Sequence, residues 1–308
     1  MKPSSANTRM PLAVLARLLL SPPEDLLREI DFANLDLGAF LRQYANPPEA
    51  VDLELRSSIR EDAVVREIAR LLMAHTEVQI RVLDACCGVA TLPKRVLRSI
   101  AGEASRIAYW AVDRDTGCIE TVKSQVEDFR AFASFTLLQR QAWDLSGLDE
   151  HSMDLIVLNN SLHEIPPHLY PSMLGVFNRL LSPERGQICI VDMETLPENS
   201  PEAIAITWGG EEVRRFLCAG GFAPEVTLHD KQMTVYQAHC RHAPKGIREK
   251  DMQHEILALL RQKLSVAIAE RQRIQAGLLS GSVDYRAWLV LTGTIARLAE
   301  ELSAFGPL

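Results

Sequence analysis

Ile80-Arg81-Val82-Leu83-Asp84-Ala85-Cys86-Cys87-Gly88-Val89-Ala90-Thr91 is the stretch that decides the fold. An apolar run ends in an acid, passes through a turn of small residues, and enters the helical pattern of Leu92 to Ile100. The same grammar recurs downstream. Ile107 to Val112 stops at Asp113, Phe135 to Trp143 stops at Asp144, and Asp154 to Leu158 stops at Asn159-Asn160. Apolar runs alternating with helical patterns predict an α/β protein with a mostly parallel sheet. Open sheets of this kind bind ligands outside the carboxyl ends of their strands, where these polar residues fall.

Working outward, the pattern predicts strands at 80–84, 107–112, 135–142, 154–159 and 187–192, and a final pair at 225–230 and 233–240. Helices fall between them at 92–101, 116–129, 169–181 and 210–219, the last stopped by Gly220-Gly221. The final two strands, joined by Asp230-Lys231-Gln232, read as a hairpin. Either side of this core the chain is helical. In Ser57 to Met73, Ile59, Ala63, Ile68, Leu71 and Leu72 share one face, with Arg60, Glu61, Asp62, Arg66 and Glu67 expected outside. From residue 246 onward two apolar stripes, Ile256 to Ile268 and Ala287 to Leu302, flank a break at Gly277 to Ser282. The expected organisation is a helical region over 1–78, an α/β domain over 79–242, and a helical hairpin over 243–308.

Composition sets outer limits. The 308 residues are 47% hydrophobic and 24% charged, with 40 acidic against 33 basic side chains and a net charge of −7. That balance argues against a general nucleic-acid binder, which needs a basic face. Arg95, Arg98 and Arg106 read as a solvated helix face. None of the six cysteines forms a CxxC, and no His/Cys spacing fits a zinc site, so no metal is expected. Cysteines inside apolar runs suit reduced thiols in a cytoplasm. The apolar stretch Pro11 to Leu20, interrupted by Arg17, is too short to cross a membrane and lacks a signal-peptide cleavage pattern.

Four strand-end features in order, followed by the hairpin, resemble the class I S-adenosylmethionine (SAM)-dependent methyltransferases. The resemblance implies a Rossmann-like, doubly wound, seven-stranded sheet with a C-terminal antiparallel hairpin strand. The family pattern acid-x-Gly-x-Gly-x-Gly maps onto Asp84, Cys86, Gly88 and Ala90, with only Gly88 retained as glycine. In the family this turn meets the methionine part of SAM, and the acid orders the amino group or a water beside it. The bland alternative is a generic strand-to-helix turn. GxGxxG spacing is absent, as is the Gly-Lys-Ser/Thr of a P-loop. Asp113, with Arg114 after it, takes the position that binds ribose hydroxyls; its alternative is a helix cap. Trp143-Asp144 takes the adenine position, again with a cap as the alternative. Asn159 and Asn160 close the cofactor set.

The segment Asn160-Ser161-Leu162-His163-Glu164 resembles the Leu-His-Asp-Trp segment of plant-type small-molecule O-methyltransferases, in which the His is the general base. Glu164 stands for the Asp and Ile165 for the Trp. The resemblance therefore places His163 and Glu164 in the catalytic position, against a reading in which His163 only lines a pocket. The Asn-Pro-Pro-aromatic signature of adenine- and glutamine-directed enzymes is absent. Met193 to Thr207, with Trp208, is expected near the acceptor. The function expected is methyl transfer from SAM to a small-molecule acceptor at oxygen, with no membrane partner and the flanking helices available for a homodimer. Two rivals stand beside it: a protein or RNA methyltransferase whose flanking helices dock the target, and a non-catalytic binding or assembly module.

Overall fold

A computed structural model of the chain describes residues 50–195, 205–230, 235–278 and 285–305. The expectations for Pro11 to Leu20, for most of Met193 to Thr207 and for the hairpin tip at 231–234 lie outside the described residues.

Seven strands form one sheet: β1 (Ile80–Ala85), β2 (Ile107–Asp113), β3 (Ser134–Gln139), β4 (Leu155–Asn159), β5 (Gln187–Met193), β6 (Glu225–Asp230) and β7 (Val235–Arg241). Their order is β3-β2-β1-β4-β5-β7-β6. The first five pair in parallel; β7 runs antiparallel to β5, and β6 antiparallel to β7. Every residue of β5 is buried, and β1 and β4 are buried along nearly their whole length. That is why these strands read as continuous apolar runs. The strand order reverses between β1 and β4, the switch point where open sheets hold ligands.

The third strand is shorter than its apolar run. It ends at Gln139, opposite Asp113 of β2, and the amide of Arg140 makes the last ladder bond to the Asp113 carbonyl at 2.9 Å. Trp143 and Asp144 therefore lie in a turn beyond the strand rather than at its tip. This is an edge strand with half-buried residues, so alternation does not mark its end sharply.

Helix α1 (Ala50–Ala74) packs beside the sheet through Val64, Ile68, Leu71 and Leu72. Its charged side chains do not all face outward. Arg60, Glu61 and Glu67 are buried. Glu67 meets Arg70, Gln187 and His239, which explains its position: the helix crosses β5 and β7, and a polar cluster sits at the crossing. Burial pushes the Glu67 carboxyl up, but the hydrogen bonds and charges of His239 and Arg70 outweigh it and hold it at about 2. Nor are Arg95 and Arg106 simply solvated. Arg95 pairs with Asp62 at 2.7 Å, and Arg106 donates to the carbonyls of Leu72 and His75, satisfying the open end of α1.

Helices α2 (Thr91–Ser99), α3 (Thr116–Lys123), α4 (Tyr170–Leu180) and α5 (Gly210–Ala219) fall where the pattern places them. The first two stop early and continue as 3-10 turns at 101–106 and 126–129. Gly221, at φ +97°, ends α5, with the Phe222 amide bonding the Leu217 carbonyl at 3.0 Å. Residues 50–195 and 207–256 form one compact unit. The described residues from 257 on belong to a second. In that second unit the helices α6 (Glu249–Leu278, from Leu257 on) and α7 (Tyr285–Ala304) each bury a stripe, Leu259, Leu260 and Ala267 in one and Ile295, Ala296 and Leu298 in the other.

At the amino edge of the sheet Asp154 is fully buried just before β4. Its carboxylate accepts from the Arg81 amide at 2.9 Å, from Arg81 Nε at 3.2 Å and Nη2 at 3.1 Å, and from Arg185 Nη2 at 3.0 Å.

Candidate active site

The turn after β1 is built by backbone handedness. Cys86, Gly88 and Ala90 all have positive φ, at 69°, 54° and 59°. They are the three positions that the resemblance aligns with glycines. A left-handed conformation costs a residue with a Cβ about 1–2 kcal/mol, so small size at Cys86 and Ala90 is only half of what the site demands. The Cys87 amide bonds the Val112 carbonyl at 2.8 Å, tying the turn to β2. A Cβ built on Gly88 would meet nothing within 4 Å. The backbone there fronts open space that a side chain would fill.

Asp113 ends β2 half-buried. One carboxylate oxygen accepts from the Gly88 amide at 2.8 Å and the other from the Asp115 amide at 2.8 Å. Each oxygen keeps a further acceptor site. Arg114 is exposed, and Asp115 caps α3 through the Cys118 amide at 2.8 Å.

Asp84 lies deeper. It is 1% exposed and accepts from the Tyr109 hydroxyl at 2.9 Å. Burial, with the charges of Asp113 and Glu61, pushes its carboxyl up to about 7 despite that bond. Burial likewise pushes the Cys86 thiol up to about 12, aided by Asp113, Glu164 and Asp84 and opposed by Arg114. Cys86 is therefore a neutral thiol. Trp143 is half-buried; Asp144 is exposed and accepts from the Ser146 hydroxyl at 2.9 Å.

Across the switch point, Asn159, Asn160 and Ser161 follow β4. Asn160 is left-handed, at φ +58°, and its amide bonds the Val191 carbonyl at 2.7 Å. Asn159 Oδ1, Asn160 Oδ1 and Ser161 Oγ are buried without a hydrogen-bond partner among the described residues. A 3-10 turn at Leu162–Glu164 then carries His163 inward.

His163 is buried, and its Nδ1 lies 2.8 Å from Oδ1 of Asp192, itself 1% exposed on β5. Asp192 also accepts from the amides of His163 at 3.2 Å and Met193 at 2.7 Å. A carboxylate only accepts, so Nδ1 is the donor in this bond. Glu164 is exposed; the carboxylate bonded to the imidazole ring is Asp192. Sequence reasoning missed it. The one signal was an acid within Gln187-Ile188-Cys189-Ile190-Val191-Asp192-Met193, a run that otherwise belongs in a core. The turn is held from behind by Tyr170, whose hydroxyl donates to the Leu162 carbonyl at 2.7 Å and accepts from Trp208 Nε1 at 2.9 Å. Trp208 is 1% exposed and packs edge-on against Phe216.

Among the described residues no helix is long and apolar enough to cross a membrane. Residues 82–184 match the family model described as a methyltransferase domain. No curated protein matches the chain. Among solved structures, the DszA carbon methyltransferase is 15% identical with a TM-score of 0.51, over 75% of this chain and 66% of that one. The CurJ carbon methyltransferase is 15% identical with a TM-score of 0.48, over 75% and 66%. A SAM-dependent methyltransferase from Aquifex aeolicus is 13% identical with a TM-score of 0.45, over 67% and 98%. The chain thus spans just under two thirds of the DszA protein's length. Residues 82–184 thus match a methyltransferase domain, and the likeness to the DszA structure shows a shared fold.

Proposed function

We propose that this chain moves a methyl group from SAM to a hydroxyl of a small molecule, with His163 taking the hydroxyl proton. The single observation that carries the proton-transfer step is the buried His163–Asp192 pair at 2.8 Å, on the carboxyl side of the sheet. SAM, when bound, supplies a methyl carbon made electrophilic by its sulfonium. The residues present fit such a ligand. Gly88 fronts open space, Asp113 keeps acceptor sites for ribose hydroxyls, and buried acceptors after β4 lack partners among the described residues.

Each residue has a task in this reading. Cys86, Gly88 and Ala90 let the backbone approach the ligand closely. Asp113 positions the ribose, with Arg114 beside it, and Trp143 and Asp144 lie on the adenine side. Asp192 fixes the imidazole in the tautomer whose Nε2 accepts a proton, and stabilises the imidazolium that follows. Exclusion of water around the pair strengthens that interaction. The acidic balance of the chain favours a small acceptor over polyanionic RNA.

Replacing His163 with Gln keeps size and polarity but removes the base. Methyl transfer to the acceptor found in a screen with labelled SAM should fall about 10²–10⁴-fold. SAM affinity should hold, and the rise of rate with pH should flatten. Asp192→Asn should reproduce the flattening through loss of the tautomer. A His163→Gln enzyme within about tenfold of the parent would reduce His163 to a pocket wall and leave catalysis to proximity and orientation.

A further inference from the structure

We propose that Tyr170 and Trp208 are positioning residues for His163: together they clamp the Leu162–His163 peptide and so hold the imidazole in place for proton removal. The inference rests on the reading of His163 as the base and adds what keeps that base in register.

Three observations converge. The first is local. His163 rides on a 3-10 turn, Leu162–Glu164, that has no side-chain cap at Ser161. Two backbone bonds close the turn, from the Glu164 amide to the Ser161 carbonyl at 3.1 Å and from the Ile165 amide to the Leu162 carbonyl at 3.2 Å. Hydrogen-bond geometry is poorer in 3-10 turns than in α-helices, so these bonds alone hold the turn weakly. The Tyr170 hydroxyl adds a shorter one, donating to the Leu162 carbonyl at 2.7 Å.

The second concerns the peptide group itself. The Leu162 carbonyl and the His163 amide belong to one planar unit. Tyr170 holds its oxygen, and Asp192 Oδ2 accepts from its N–H at 3.2 Å. Asp192 Oδ1 lies 2.8 Å from Nδ1 of the same residue's ring. Main chain and ring of His163 are thus tied to one carboxylate, while Tyr170 anchors the far side of the peptide. Rotating that plane would swing the imidazole out of line with Asp192. A bond to the carbonyl also polarises the peptide and strengthens its N–H as a donor.

The third is what fixes Tyr170. Its side chain is fully buried, and its hydroxyl accepts from Trp208 Nε1 at 2.9 Å. The rings of Tyr170, Trp208 and Phe216 form a triangle with centroids 6.0, 5.7 and 5.6 Å apart. Phenylalanine would fill the same core; the hydroxyl and the indole N–H serve orientation rather than packing. Tyr170 opens α4, and Trp208 stands just before Gly209, the N-cap of α5. The connections that follow β4 and β5 therefore meet at the peptide that carries the base.

The test reads the imidazole directly. In the full chain, isotope-labelled at its histidine nitrogens, the Nδ1 proton of His163 is identified in magnetic resonance spectra by its loss in His163→Gln. Tyr170→Phe should shift that resonance and speed its exchange with water about two- to tenfold, the loosening expected from one lost hydrogen bond. The ring signals of His151, bonded to the Leu181 carbonyl, and of His239, beside Glu67, should not move, whereas a general loosening of the fold would disturb them too. With the acceptor found in the screen with labelled SAM, kcat of Tyr170→Phe should fall about ten- to a hundredfold, with KM and SAM affinity little changed. Trp208→Phe, which leaves the tyrosine in place, should move both readouts the same way and by less; it carries the comparison should Tyr170→Phe fail to fold. Adding Tyr170→Phe to His163→Gln should cost nothing further, because a residue that acts through the base has no effect once the base is gone. An unchanged His163 signal, or losses that multiply in the double variant, would overturn the clamp and leave the base standing. A His163→Gln enzyme within about tenfold of the parent would overturn the base reading and the clamp with it.

Discussion

The two ends of β4 are five residues apart and are built in opposite ways. At the amino end Asp154 is sealed in the sheet edge with both oxygens engaged by Arg81 and Arg185. At the carboxyl end Asn159, Asn160 and Ser161 bury three oxygens that nothing among the described residues satisfies. Both ends bear the cost of taking polar groups out of water. Among the described residues only the first recovers it. A polar group whose partners are all internal serves stability, and one without them calls for a partner from outside, water or ligand.

That contrast breaks most visibly at Asp154. Asp154→Ala strands two guanidinium groups at a buried site and should cost about 3 kcal/mol. The figure is near the lower end for a broken buried pair because Arg81 and Arg185 keep partial contact with solvent. Denaturant unfolding measures the loss, and cofactor affinity of the folded protein should be unchanged. A stable Asp154→Ala protein with weakened cofactor binding would invert the assignment of the two ends.

Asp113 sits between the extremes, since it both pins the Gly88 amide and offers acceptor sites outward. Asp113→Ala should weaken SAM by about 1.5–3 kcal/mol for each charged hydrogen bond lost. Calorimetric affinity unchanged from the parent would remove Asp113 from the ribose site.

Asp84 gives an effect that appears only as pH changes. Its folded carboxyl stands at about 7 against an ordinary 3.8, so the folded state binds this proton more tightly than the unfolded chain does. The stability this contributes is full below the ordinary value and is lost as pH rises toward and through 7. The parent should therefore fall behind Asp84→Asn as pH rises from 5 to 7, by at most about 1.4 kcal/mol per unit. The gap should level off above that. Melting temperatures of the two proteins across this range decide it, and a gap independent of pH would mean that Asp84 ionises as an ordinary carboxylate.

Much of this was legible in the sequence. The parallel core is buried on both faces, so its strands appear as uninterrupted apolar runs, and the polar residues that end them mark the functional edge. Small residues at Cys86 and Ala90 were readable as close approach; their handedness was not, because size and φ leave the same trace in composition. Asp144 was placed at a strand tip because Ala142 and Trp143 extend the apolar run past the point where pairing with β2 stops. Asp192 escaped notice because its partner is 29 positions away, at the end of another strand, a distance only the crossover through α4 closes. A buried carboxylate inside an apolar strand was a question that the sequence posed without its answer.

The left-handed residues at 86, 88 and 90 carry a further consequence, which is stereochemical. At these three points an L-chain adopts the hand natural to D-residues. At Gly88 itself what borders the open space is main chain, with no side chain to vary. Such a surface can recognise the outline of a ligand but cannot be retuned by ordinary substitution. In the function proposed above, divergence in the acceptor would be written on the far side of the switch point, in side chains after β4 and β5, while chirality constrains the β1 turn.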